Sequence, residues 1–82
     1  MITKKQIKIY MDAGSDYVRD WVAWGNDPHK FGGQSEAWDM AQGYICGKCI
    51  SQGAAEGVAN YIYEGMLKEV ERQKKKFKKK EA

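Results

Sequence analysis

The sequence predicts an all-α fold: a helical hairpin with a first helix over about residues 4–24 and a long second helix over about 35–76, assembled as an antiparallel homodimer or higher oligomer. Three observations lead there. From Ala37 to Val70 the apolar residues fall on one half of a helical wheel, residues 4–24 repeat that periodicity behind a capping signal, and turn-forming residues separate the two stretches.

The first helix starts at Thr3, which with Gln6 three positions on has the capping-box pattern. Ile7, Tyr10, Met11, Gly14, Tyr17, Val18, Trp21 and Val22 follow at helical spacing and form its inner face. Lys8, Asp12, Ser15, Asp16, Arg19 and Asp20 fall on the other side. Asp12, Asp16 and Asp20 could be imagined as a metal or basic-partner stripe, but a solvated face accounts for them with fewer assumptions.

Gly25-Asn26-Asp27-Pro28 ends this helix by turn chemistry, and the connection runs on through His29, Lys30, Phe31, Gly32 and Gly33. Gln34 or Ser35 starts the second helix, where Glu36 and Asp39 suit the positive end of its dipole. Trp21 and Trp24 end one helix and Trp38 begins the next, so all three tryptophans are expected near the connection.

Along the long helix Ala37, Trp38, Met40, Ala41, Tyr44, Ile45, Ala55, Val58, Ala59, Ile62, Tyr63, Met66, Leu67, Val70 and Phe77 share a face. The opposite side carries Gly43, Cys46, Gly47, Ile50, Gly53, Ala54, Gly57, Tyr61 and Gly65. Each helical glycine costs about 1 kcal/mol relative to alanine, and close approach of another backbone would compensate. An antiparallel copy of the helix crossing at Gly53 and Ala54 sets Gly47 against Tyr61 and Ile50 against Gly57. It also brings Glu36 and Asp39 to Arg72 and Lys68. The partner is either a second chain or the same chain folded back at Ser51-Gln52-Gly53, and the second possibility makes the fold a three-helix bundle broken near Gly53.

Eighty-two residues make one domain, expected over 1–76 with a frayed basic tail over 77–82, and 43% hydrophobic content with ten aromatics excludes a disordered chain. No apolar run suffices for a membrane span, and the polar start from Met1 to Lys5 lacks a signal-peptide core, so a cytoplasmic location is expected. The formal charge of +3 averages two unlike parts: residues 68–82 hold eight Lys/Arg against three Glu, and residues 1–67 hold six against eight acids.

Cys46 and Cys49 have the spacing of half a zinc site, but with one histidine and no second cysteine pair the expectation is reduced thiols and no metal. No cofactor is expected. No nucleophile has an obvious base, so the chain reads as non-catalytic. His29, Lys30, Gly32, Gly33, Ser35 and Trp38 compose a candidate anion or nucleotide site, because a glycine pair opening a helix presents free N–H groups. It is not a P-loop, having no preceding strand and no Gly-Lys-Ser/Thr ending. Arg72, Lys74, Lys75, Lys76, Lys78, Lys79 and Lys80 compose a candidate polyanion-binding tail. The expected function is therefore a small non-catalytic, homo-oligomeric binding protein for nucleic acid or a nucleotide. The alternatives are an adaptor or inhibitor that blocks another protein, and a structural self-assembly subunit.

Overall fold

The computed structural model describes residues 3–48 and 52–81, and their side chains over 3–46 and 54–77. Three α-helices and one 3-10 turn account for the described chain: α1 (Lys4–Ala23), the turn Pro28–Lys30, α2 (Gln34–Lys48) and α3 (Gln52–Glu81). The protein is all-α, and the described residues contain no strand.

Helix α1 begins as its capping box requires. The Thr3 hydroxyl accepts from the Gln6 amide at 3.2 Å and the Gln6 side chain accepts from the Thr3 amide at 2.9 Å, which satisfies two N–H groups that helix geometry leaves over. The helix stops at Trp24, and Gly25 at φ 101° turns the chain through a conformation that disfavours residues with a Cβ. Asp27 caps the Pro28–Lys30 turn by accepting from the His29 amide at 2.9 Å, and the Asn26 side chain ties the turn back to the Trp21 carbonyl at 2.7 Å.

Helix α3 is the central element, and both α1 and α2 pack on it. Two pairs fix the direction of α1. Met11 meets Gly65 and Ser15 bonds Glu69, the same sequence offset of 54 in both, so α1 and α3 run parallel. Tyr10 packs edge-on against Tyr44 with ring centroids 5.0 Å apart, while Tyr17 feels the charges of Glu36 and Asp39, so α2 runs opposite to α1. The result is an up-down-up bundle. Val18, Ala41, Ala55, Val58, Ile62 and Met66 are fully buried at its centre, with Tyr10, Ala37 and Val70 beside them.

The crossing of α1 over α3 depends on two glycines. A Cβ on Gly14 would lie 2.0 Å from the Ile62 carbonyl oxygen, and a Cβ on Gly65 would lie 2.0 Å from that of Met11. Backbone touches backbone there. No side chain can be added unless the helices move apart.

The long second helix is thereby corrected to two. Trp38 and Tyr63 line one cleft, whereas in a continuous helix about 37 Å of axis would separate them. The three-helix alternative is the observed one, and the break falls between Lys48 and Gln52; residues 49–51 lie outside the described residues. Helices α2 and α3 meet through Ala37, Ala41, Val58 and Ile62, the apolar face, and not through the glycine face. Folding back buries that face against itself, which a single helix would leave for another chain.

Within one chain the expected glycine register is not formed. Gly43 has nothing within 4 Å of its Cβ direction, Cys46 is exposed, and Gly65 is filled by α1. Ala54, Gly57 and Tyr61 are half-buried, while the side-chain positions of Gly47, Ile50 and Gly53 lie outside the described ones. The charge pairs of that register are absent among the described residues: Arg72 binds Glu69 at 2.6 Å and Lys68 approaches Glu64 at 3.9 Å. Helix α3 also continues past residue 76 to Glu81, a course that lysine's good helix propensity and the negative end of the dipole both favour.

Candidate functional site

Three surfaces hold the chemistry. The first is the connection into α2, where Lys30, Gly32, Gly33, Gln34 and Ser35 line a cleft of about 450 Å³ together with Tyr17, Trp21, Phe31 and Glu36. The sequence elements explain its shape. Gly33 sits at φ 70° with the Phe31 ring against the place its Cβ would occupy, and Phe31 in turn packs edge-on to Trp21 at 5.2 Å. The first intrahelical bond runs from the Ala37 amide to the Gly33 carbonyl at 2.9 Å, so the amides of Gln34, Ser35 and Glu36 precede it.

Four of the six residues expected at this site, Lys30, Gly32, Gly33 and Ser35, are brought together there. His29 is not. Its Nδ1 lies 3.0 Å from the Asp27 carboxylate and its ring packs edge-on to Phe77, with centroids 6.0 Å apart. The amide of His29 is the main cause that holds the Asp27 carboxyl below its usual value. Trp38 lies in a neighbouring cleft, which shares Gln34 and Ser35 with the first. Glu36, in the first cleft, opposes an anion held by Lys30.

The second surface is the basic end of α3. Lys68, Arg72, Lys75 and Lys76 are exposed and, at 100° per residue, fall within about 100° of one another, forming a continuous stripe. Lys75 and Lys76 make no ion pair among the described residues, whereas Lys74 is tied to Glu71 at 3.2 Å. Arg72 is anchored on one side but its side chain remains 60% exposed. The side chains of Lys78, Lys79 and Lys80 lie outside the described ones.

That anchor is a polar cluster that the sequence pattern did not reveal. Glu69, 4% exposed, accepts from the Ser15 hydroxyl at 2.7 Å, from Arg72 Nε at 3.0 Å and from the Gln73 side chain at 2.7 Å. Burial pushes the Glu69 carboxyl up, but the bonds from Ser15, Gln73 and Arg72, with the Arg72 charge, outweigh it and hold the group below its usual value. Ser15, expected on the solvated face of α1, is instead buried and bonded across the helix pair. Its neighbours Lys8, Asp12, Asp16 and Arg19 do stand in water, paired along α1 at 2.8 and 2.6 Å.

The third surface is a cleft of about 640 Å³ between the start of α2 and the first half of α3. Trp38, Asp39, Glu56, Asn60 and Tyr63 form its walls, and Ala37 and Ala59 lie at its base. Small residues at 37 and 59 leave the space that the two aromatics flank.

Among the described residues no group of three His, Cys, Asp or Glu side chains converges on a metal position, and no helix is long and apolar enough to cross a membrane. Cys46 is a free thiol. No protein-family model matches the chain, and neither a curated protein nor a solved structure is significantly similar to it.

Proposed function

We propose that the chain is a non-catalytic binding protein for a polyanion, with nucleic acid as the phosphate-bearing partner, held along the basic end of α3. The observation that carries this reading is the exposed stripe of Lys68, Arg72, Lys75 and Lys76, in which Lys75 and Lys76 have no acidic partner among the described residues. A rigid helix presents these charges in one line, and eight of the chain's fourteen Lys/Arg residues belong to its last fifteen positions. Binding of this kind displaces condensed counterions, so it is insensitive to base sequence and weakens steeply with salt.

The full chain titrated with an oligonucleotide at increasing salt tests the proposal. Lys75→Glu/Lys76→Glu is expected to lower affinity by at least about tenfold and to flatten the logarithmic salt slope by about two, one unit for each phosphate that is no longer neutralised. Absence of affinity at low salt, or an unchanged slope in the variant, refutes it.

The cleft beside Gly32 and Gly33 supports a second reading, a nucleotide held by Lys30 and the leading amides of α2 with Trp21 and Tyr17 as apolar walls. Loss of nucleotide binding in Lys30→Ala, with no effect of Lys75→Glu/Lys76→Glu, would favour it over the α3 stripe.

A further inference from the structure

The cleft between α2 and α3 has a character opposite to that of the basic stripe. Its lining includes two carboxylates, Asp39 and Glu56, and no lysine or arginine. Neither carboxylate is engaged in an ion pair or hydrogen bond among the described residues. Trp38, 37% exposed, and Tyr63 present aromatic surface to the same space, and Asn60 adds an amide.

An aromatic face flanked by unpaired carboxylates suits an organic cation, which gains attraction from the ring quadrupole and charge-assisted bonds to the acids. Lysine and arginine are not equivalent here. A planar guanidinium can stack on the indole while its fork of N–H groups addresses two carboxylates at once, whereas an ammonium offers only a compact charge. The volume is within the range of ordinary ligand sites. The positive end of the α2 dipole lies nearby, but its half charge is smaller than the two full negative charges. The Tyr17 phenol, on the far side of the same helix start, is raised by burial and then by Glu36 and Asp39, in keeping with a negative potential there.

We propose that this cleft is a docking site for an arginine side chain on a basic segment of a partner protein, with Trp38 under the guanidinium and Asp39 and Glu56 as its acceptors. The assignment rests on charge complementarity and is independent of the polyanion reading, which uses the far end of α3.

The experiment titrates the full chain with an arginine-rich peptide at low ionic strength, by calorimetry and by tryptophan fluorescence, with a matched lysine peptide as comparison. The arginine peptide should bind more tightly than the lysine peptide. Asp39→Asn/Glu56→Gln should weaken it by about tenfold or more, as loss of charge-assisted bonds implies. Trp38→Leu should weaken it by about three- to tenfold. Both variants replace exposed groups, so unchanged circular dichroism is expected, and Lys75→Glu/Lys76→Glu should bind the peptide at least as well as wild type. No binding at low salt, or equal binding by the Asn/Gln variant, overturns the proposal. So does a chain that self-associates with rising concentration and is made monomeric by Asp39→Asn/Glu56→Gln, since the occupant would then be the basic α3 of a second copy.

Discussion

At Glu69 a charged side chain sits in the α1–α3 seam because three donors reach it: the Ser15 hydroxyl, the Arg72 guanidinium and the Gln73 amide. Glu69→Ala leaves the Ser15 hydroxyl buried without its acceptor, and chemical unfolding at neutral pH should show a loss of about 1–3 kcal/mol. The pH dependence has a definite sign. A carboxyl held below its usual value in the folded chain stabilises fully above the unfolded value of about 4.3, and that contribution is lost as pH falls through the lower folded value. The stability gap between wild type and Glu69→Gln should therefore be constant near neutrality and shrink below about pH 4; a gap that widens in acid contradicts the assignment. The capping box is a second single-residue test. Thr3→Ala should cost about 1 kcal/mol in thermal or chemical unfolding, because the Gln6 amide loses its acceptor.

At the scale of elements, α1 and the turn after it were legible because each is encoded locally: Thr3 and Gln6 are neighbours on one turn, and Gly25 to Pro28 act on their own backbone. The break between α2 and α3 was hidden by periodicity. Three residues are nearly one helical turn, so the apolar phase passes across Cys49 to Ser51 with little shift and a hairpin looks like one rod. Glycine spacing announced a close approach of backbones, and Gly65 does make one. The stripe of small residues carries no information about which backbone fills it, and the partner proved to be Met11 of α1, beside Gly14. Ser15 and Glu69 were illegible for a related reason: as isolated letters they are polar residues suited to water, and only a contact 54 positions away makes them core. Of the candidate site residues, Arg72, Lys75 and Lys76 lie on an exposed line of charge on α3, and Lys30, Gly32, Gly33 and Ser35 line one cleft, whereas His29 packs on Phe77 and Trp38 lines the neighbouring cleft.

The whole molecule is a rod of 47 × 21 × 15 Å whose length is that of α3 alone, about 45 Å for thirty residues. Its surface of 5793 Å² exceeds the roughly 5,000 Å² usual for a monomer of this mass, the consequence of a helix longer than the two that cover it. The surface is also divided by charge: the basic stripe at Lys76 and the acidic, aromatic cleft at Asn60 lie about 24 Å apart along the same helix. This arrangement requires α3 to be held inside one chain by α1, with α2 left open at Gly43 and Cys46. Urea unfolding of Gly65→Ala beside Gly43→Ala tests that requirement most directly. Within the bundle, Gly65→Ala forces two backbones apart and should destabilise by about 2–3 kcal/mol, while Gly43→Ala meets open space and should stabilise by about 0.5–1 kcal/mol. If both substitutions destabilise alike, the two glycines lie in one tight helix-to-helix contact, and the three-helix arrangement is wrong.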